Sequence, residues 1–228
     1  MRSGRRYVVV LLACGALLAS ALAVRAATTA PSRQGDAPPL ETFDPETVGR
    51  LEQEAWAAYY FRDWPRLFGL LLELIEGQFG LSPAQALEAA TVATRAQVVF
   101  AERGADDGAA EDYMRQFYTL VKAPSGGTYD PARAAELELR WWVIHRNRAQ
   151  YPDTTALADA LAALYAEVYR VAPSAGLAAG EHRALAMEAS DRWIAEGRDP
   201  RSPLLVTVRD ELVLSYRALA AAIAARGS

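Results

Sequence analysis

The chain has 228 residues and a formal net charge of −4, with 52% apolar and 23% charged residues. That composition supports a packed core and excludes wholesale disorder. Removing the four arginines of the first 26 residues leaves 20 basic against 28 acidic side chains. A body of that sign is excluded as a nucleic-acid binder, which needs a basic face to neutralise phosphates.

The first residues, MRSGRR, are basic, and YVVVLLACGALLASALAV (7–24) then runs 18 residues without a charge. The run is long enough to cross a bilayer. The small-residue stretches ALA (21–23) and VRA (24–26) are also suited to signal cleavage. Both outcomes stay open: residues 1–26 are a removed signal peptide or a retained anchor. In either case Arg2, Arg5 and Arg6 stay on the cytoplasmic side and the rest is extracytoplasmic. LLAC (11–14) resembles a lipoprotein cleavage box, but the apolar run continues past Cys14, where a mature lipoprotein turns polar. Cys14 is the only cysteine, so the exported part carries no internal disulfide and no thiolate chemistry.

Residues 27–42 are rich in Pro, Ser, Thr and Gly and read as a spacer. From residue 43 the pattern is all-α. Asp44-Pro45, Ser82-Pro83, Asp130-Pro131 and Ser202-Pro203 each pair a capping side chain with a proline at the first helical position. Ser82 with Gln85 forms a capping box, and Phe43 is placed to staple Val48. Stops fall at Gly80, Gly104 and Gly197, with APSGG (123–127) as the longest break. Eight helices are expected near 45–62, 64–79, 83–103, 107–122, 131–149, 154–171, 177–196 and 203–225.

The helical domain (43–228) also reads as a tandem repeat of four-helix halves, 43–125 and 129–226. FDPETVGRLEQEAWAAYYFR (43–62) aligns with YDPARAAELELRWWVIHRNR (129–148), sharing Asp, Pro, Leu, Glu, Trp and Arg at matched places. Further on, Leu71, Leu74, Phe79 and Pro83 match Leu161, Leu164, Tyr169 and Pro173. Phe100 falls near Trp193, and Tyr118 near Tyr216 on the last helix of each half. The 34-residue period of tetratricopeptide arrays is missing.

At 100° per residue, Val48, Leu51, Ala55, Ala58 and Arg62 share one stripe of the leading helix. Ala134, Leu137, Trp141, Ile144 and Arg148 take the same places in the second half. Glu52, Trp56 and Tyr59 flank the first stripe, and Glu138, Trp142 and His145 the second. These eight (Glu52, Trp56, Tyr59, Arg62, Glu138, Trp142, His145, Arg148) are the ligand-binding or structural candidates. If the two leading helices cross antiparallel, Glu52 meets Arg148 and Glu138 meets Arg62 in reciprocal ion pairs. Otherwise each Arg serves the C-terminus of its own helix.

No catalytic residue and no metal site is assigned. His145 and His182 are the only histidines, and a zinc site needs a third ligand, for which Glu138 or Glu181 would have to serve. Paired Glu-x-x-His, His-Glu-x-x-His, Gly-x-Ser-x-Gly and Walker motifs are missing. No cofactor is expected. The expected role is non-enzymatic binding of a protein or small apolar ligand at the cell envelope. The competing expectation is an extracytoplasmic enzyme using Glu52 and Glu138 as an acid/base pair between the halves.

Overall fold

The computed structural model describes residues 38–102, 107–151 and 153–226. They form eight α-helices: α1 (Pro45–Phe61), α2 (Trp64–Phe79), α3 (Pro83–Ala101), α4 (Asp107–Lys122), α5 (Pro131–Arg146), α6 (Thr155–Tyr169), α7 (Pro173–Ala195) and α8 (Leu204–Arg226). A 3-10 turn, Pro39–Glu41, precedes them, and no strand occurs among the described residues. Among those residues no helix is long and apolar enough to cross a membrane. The export segment 7–24 lies outside the described residues.

The capping signals act as their chemistry dictates. The Asp44 carboxylate accepts the backbone N–H groups of Glu46 and Thr47, at 3.3 and 3.2 Å. Asp130 accepts from Ala132 at 2.9 Å. The Ser82 N–H donates to the Gln85 side chain at 3.1 Å, and Ser202 Oγ accepts from Leu204 N at 3.3 Å. These bonds satisfy amides that have no partner inside the helix.

Two boundaries differ from the sequence expectation by three residues or more. α7 starts at Pro173, four residues before the expected start at 177. Gly176 and Gly180 inside it are contact points and not breaks. A Cβ at Gly180 would lie 2.4 Å from the Ala158 carbonyl oxygen, so the missing side chain lets α7 lie directly on α6. α5 stops at Arg146, short of 149, because the Asn147 side chain turns back to the Val143 carbonyl at 3.0 Å.

Each helix packs on its neighbours in the chain, and α1 packs on α8, so the eight close into a ring. The closing contact is tight, since a Cβ at Gly49 would lie 2.8 Å from the Val213 backbone nitrogen. The leading-helix stripes face the core: Val48, Leu51, Ala55 and Ala58 are buried, as are Ala134, Leu137, Trp141 and Ile144. Phe43 and Val48 are buried in the same cluster.

The α2–α3 and α6–α7 turns are built alike. Phe79 and Tyr169 are buried at the helix ends. Gly80 and Arg170 follow in the left-handed region, with φ of 62° and 56°. Leu81 and Val171 are buried next, then Pro83 and Pro173 open the following helices. A Cβ at Gly80 would meet the Pro39 ring at 2.5 Å, so glycine here makes room for the 38–42 segment. Leu40 of that segment is buried, and its N–H donates to the Ser125 carbonyl at 3.3 Å. Glu41 pairs with Arg226, which ties the segment to the end of α8.

Candidate functional site

The polar side chains of the ring converge on Arg183, midway along α7. Ser, Gly and Ala surround it on the buried face of that helix: Gly176, Ala179, Gly180, Ala184 and Ser190. These small residues bring α7 close to its neighbours and leave room for the Arg183 side chain to reach inward. Arg183 Nη1 donates to Glu52 Oε2 of α1 at 3.0 Å, and Nη2 donates to Oε1, a bidentate pair. Tyr216 of α8 donates its hydroxyl to Glu52 Oε2 at 2.7 Å. Tyr165 of α6 lies 3.4 Å from Arg183 Nη1. The guanidinium carbon also sits 5.8 Å from the Trp56 ring and 5.3 Å from the Trp141 ring. Burial works against the Arg183 charge, but Glu52 and the ring of tyrosines more than offset it, so the group stays protonated.

Glu138 of α5 is held differently. Its Oε2 accepts the Tyr118 hydroxyl of α4 at 2.8 Å, and its Oε1 accepts the Trp142 indole N–H at 3.0 Å. No cation forms an ion pair with it among the described residues. Burial raises its carboxyl above the ordinary value of 4.5; Arg183, Tyr118, Trp142 and Trp141 pull it back only partway. Two carboxylates thus share one guanidinium, and that guanidinium is bound to Glu52. Trp141 Nε1 and Arg183 Nε are buried without a hydrogen-bond partner, so the cluster is closely packed but incompletely satisfied.

The two Glu–Tyr bonds correspond. Tyr216 of the last helix holds Glu52 of α1, and Tyr118 of α4 holds Glu138 of α5. Phe43 stacks edge-on against Tyr216 and Tyr129 against Tyr118, each with ring centroids 5.7 Å apart. Gln78 of α2 adds a bond across the ring to the Tyr169 hydroxyl at 2.7 Å.

The reciprocal ion pairs expected from the sequence do not form. Glu52 binds Arg183 and not Arg148, and Glu138 binds two neutral donors and not Arg62. Arg148 bonds to the Tyr151 and Asp153 carbonyls at 3.2 and 3.0 Å and lies 3.5 Å from Asp191. It therefore serves the loop after its own helix. Arg62 is exposed, at φ 57°, and ends α1. Trp56 and Tyr59 are half-buried, and Tyr59 packs edge-on against Tyr60 and Trp64.

The histidines do not meet. His145 Nε2 is 3.0 Å from Asp191, and His182 Nδ1 is 2.8 Å from Glu211. No group of three or more metal-ligating side chains occurs among the described residues. On the surface, a groove of ≈ 440 Å³ between α5 and α6 is lined by Leu139, Val143, Ile144, Tyr151 and Ala156 with three charged residues. A second, of ≈ 510 Å³, lies along α1 and α8 beside Arg50, Arg209 and Arg217.

Arg183, Tyr118, Trp141, Tyr165 and Tyr216 are the members of the cluster that the sequence candidates omit. The signal for Arg183 is its place: a lone cation on a helix face otherwise made of Gly, Ala, Ser, Met and Trp. In comparisons with protein-family models, curated proteins and solved structures, the chain matches none.

Proposed function

We propose that the chain is an exported or membrane-anchored helical binding module of the cell envelope, made of two tandem four-helix halves, that engages a protein or small apolar ligand without catalysing a reaction. One observation carries this reading: the acidic and imidazole candidates are engaged within the fold. Glu52 is held by Arg183 and Tyr216, Glu138 by Tyr118 and Trp142, and His145 by Asp191. Side chains committed in this way hold the ring shut. The surface groove between α5 and α6, with its apolar residues, offers one place for a ligand, and its volume is in the usual range for small-molecule sites. The matched Glu–Tyr bonds and the like-built turns support the reading of two copied halves. The charge-free run 7–24 after a basic start supports export.

Native mass spectrometry of the protein purified from its own envelope tests the proposal. It predicts a chain either intact or starting near residue 27, carrying a stoichiometric partner or apolar ligand. A bare chain in every preparation would contradict it. The raised carboxyl of Glu138 favours one second reading, an acid/base enzyme, because shifted carboxyls mark active sites as well as buried structural ones. That reading requires turnover lost in Glu138→Gln with the fold intact.

A further inference from the structure

Two buried N–H donors at the polar centre have no acceptor: the Trp141 indole Nε1 and the Arg183 Nε. Trp141 is 8% exposed and Arg183 9%, so bulk solvent does not serve them. Trp142 and Trp193 differ, since they donate to Glu138 and to the Asp199 carbonyl at 3.0 and 2.9 Å. Buried donors are nearly always paired, and an orphan calls for an explanation. These two are neighbours, with the guanidinium carbon 5.3 Å from the Trp141 ring. Glu138 stands beside both. Its carboxylate is half-buried, takes the Tyr118 and Trp142 donors, and forms no ion pair among the described residues.

We propose that this centre is a binding site for a small neutral polyol, whose hydroxyl oxygens accept from Trp141 Nε1 and Arg183 Nε and whose hydroxyl protons go to Glu138. A hydroxyl answers both needs at once, because it accepts and donates. An ammonium has no lone pair to offer the two N–H groups. A carboxylate or phosphate is repelled by Glu138, and the Arg183 charge that would attract it is taken up by Glu52. The walls are the Trp56, Trp141 and Trp142 indoles, with Trp56 half-buried and 5.8 Å from the guanidinium carbon. Aromatic walls around a few fixed polar groups are the usual make-up of a small-molecule site. The site is separate from the α5–α6 groove. Leu139, Arg140 and Val143 line that groove, while Glu138, Trp141 and Trp142 lie on the opposite flank of α5.

The two ends of the ring differ, which gives the ligand one way in. At one end the 38–42 segment is packed down: Leu40 is buried and bonds to Ser125, and Glu41 pairs with Arg226. At the other end Arg146 joins α5 to Phe100 of α3 and Asp107 of α4, and His145 joins it to Asp191 of α7. Tyr59, Tyr60, Phe100 and His145 stay half-buried there. Tyr60 and His145 each follow by one helical turn a tryptophan of the site, Trp56 and Trp141. Side chains alone therefore cover this entrance, and they can turn aside without moving a helix.

The indole ¹H–¹⁵N resonances of the five tryptophans in the full chain test the site. Glycerol and glucose are the polyol probes, and sodium acetate is the anionic control. Trp141→Phe keeps an aromatic ring, removes the donor, and assigns the Trp141 signal by its loss. The Trp141 and Trp142 signals should shift saturably with at least one polyol and stay in place with acetate. In Trp141→Phe the Trp142 signal should report an affinity weakened by about tenfold, the usual scale for one lost hydrogen bond. No saturable shift with either polyol would overturn the proposal, as would an equal response to acetate or an unchanged affinity in Trp141→Phe. A water cross-peak at the Trp141 indole that survives saturating polyol would overturn it too, because solvent would then fill the place of the ligand. The wild-type titration decides the question by itself if the variant does not fold.

Discussion

At the residue scale the balance of forces in the core turns on how each carboxylate is compensated. Glu52 receives two guanidinium N–H groups and one hydroxyl, all charge-assisted. Bonds of this kind contribute about 1.5–3 kcal/mol each. Tyr216→Phe removes the hydroxyl and leaves its ring against Phe43. It should lower stability by about 1.5–3 kcal/mol in urea unfolding. A loss under about 0.5 kcal/mol would mean that Arg183 alone satisfies Glu52. The outer ion pairs belong to another class. Arg201–Asp199 and Arg217–Glu46 are more than half exposed on most of their side chains, and exposed pairs contribute little.

At the element scale, small residues decide where helices can touch. Gly49 lies on the side chain and backbone of Val213 and Gly180 on the carbonyl of Ala158, so α1–α8 and α6–α7 approach closely at these points. Gly180→Ala must push α7 off α6. It should cost about 1–3 kcal/mol despite the better helix propensity of alanine, as measured by thermal unfolding. Unchanged or raised stability would show that the close approach is not needed.

Helix positions were legible because caps and prolines act within one turn. Asp44, Ser82 and Asp130 start their helices where their sequence neighbours require. The start of α7 was legible only through the match of Pro173 to Pro83, which opens α3, and not through a cap of its own, since Ala172 precedes it. The same limit applied to the site. The burial of Glu52 could be read from its angle on the helix, but its partners come from α7 and α8, and the Tyr118 partner of Glu138 comes from α4, set by how the helices pack and not by local spacing.

At the scale of the whole molecule, a chain of short-looped helix pairs becomes one closed body through α1 against α8, and the polar centre ties together helices distant in sequence. Glu52 and Arg183 are 131 positions apart, and Tyr216 reaches Glu52 across 164. Such bonds constrain the ring far more than contacts between chain neighbours, because none of them can form until most helices are in place. The Glu52–Arg183 pair is buried on both sides, where desolvation is severe and pairing is what offsets it. The central claim is that these groups hold the ring shut.

A double-mutant cycle of Glu52→Leu and Arg183→Met in denaturant unfolding tests it most directly. Each single substitution strands a buried charge and should cost about 3–5 kcal/mol, while the double variant should lose much less than the sum. Single losses under about 1 kcal/mol, with no coupling between the two, would contradict the account and return the carboxylates to a role other than structure.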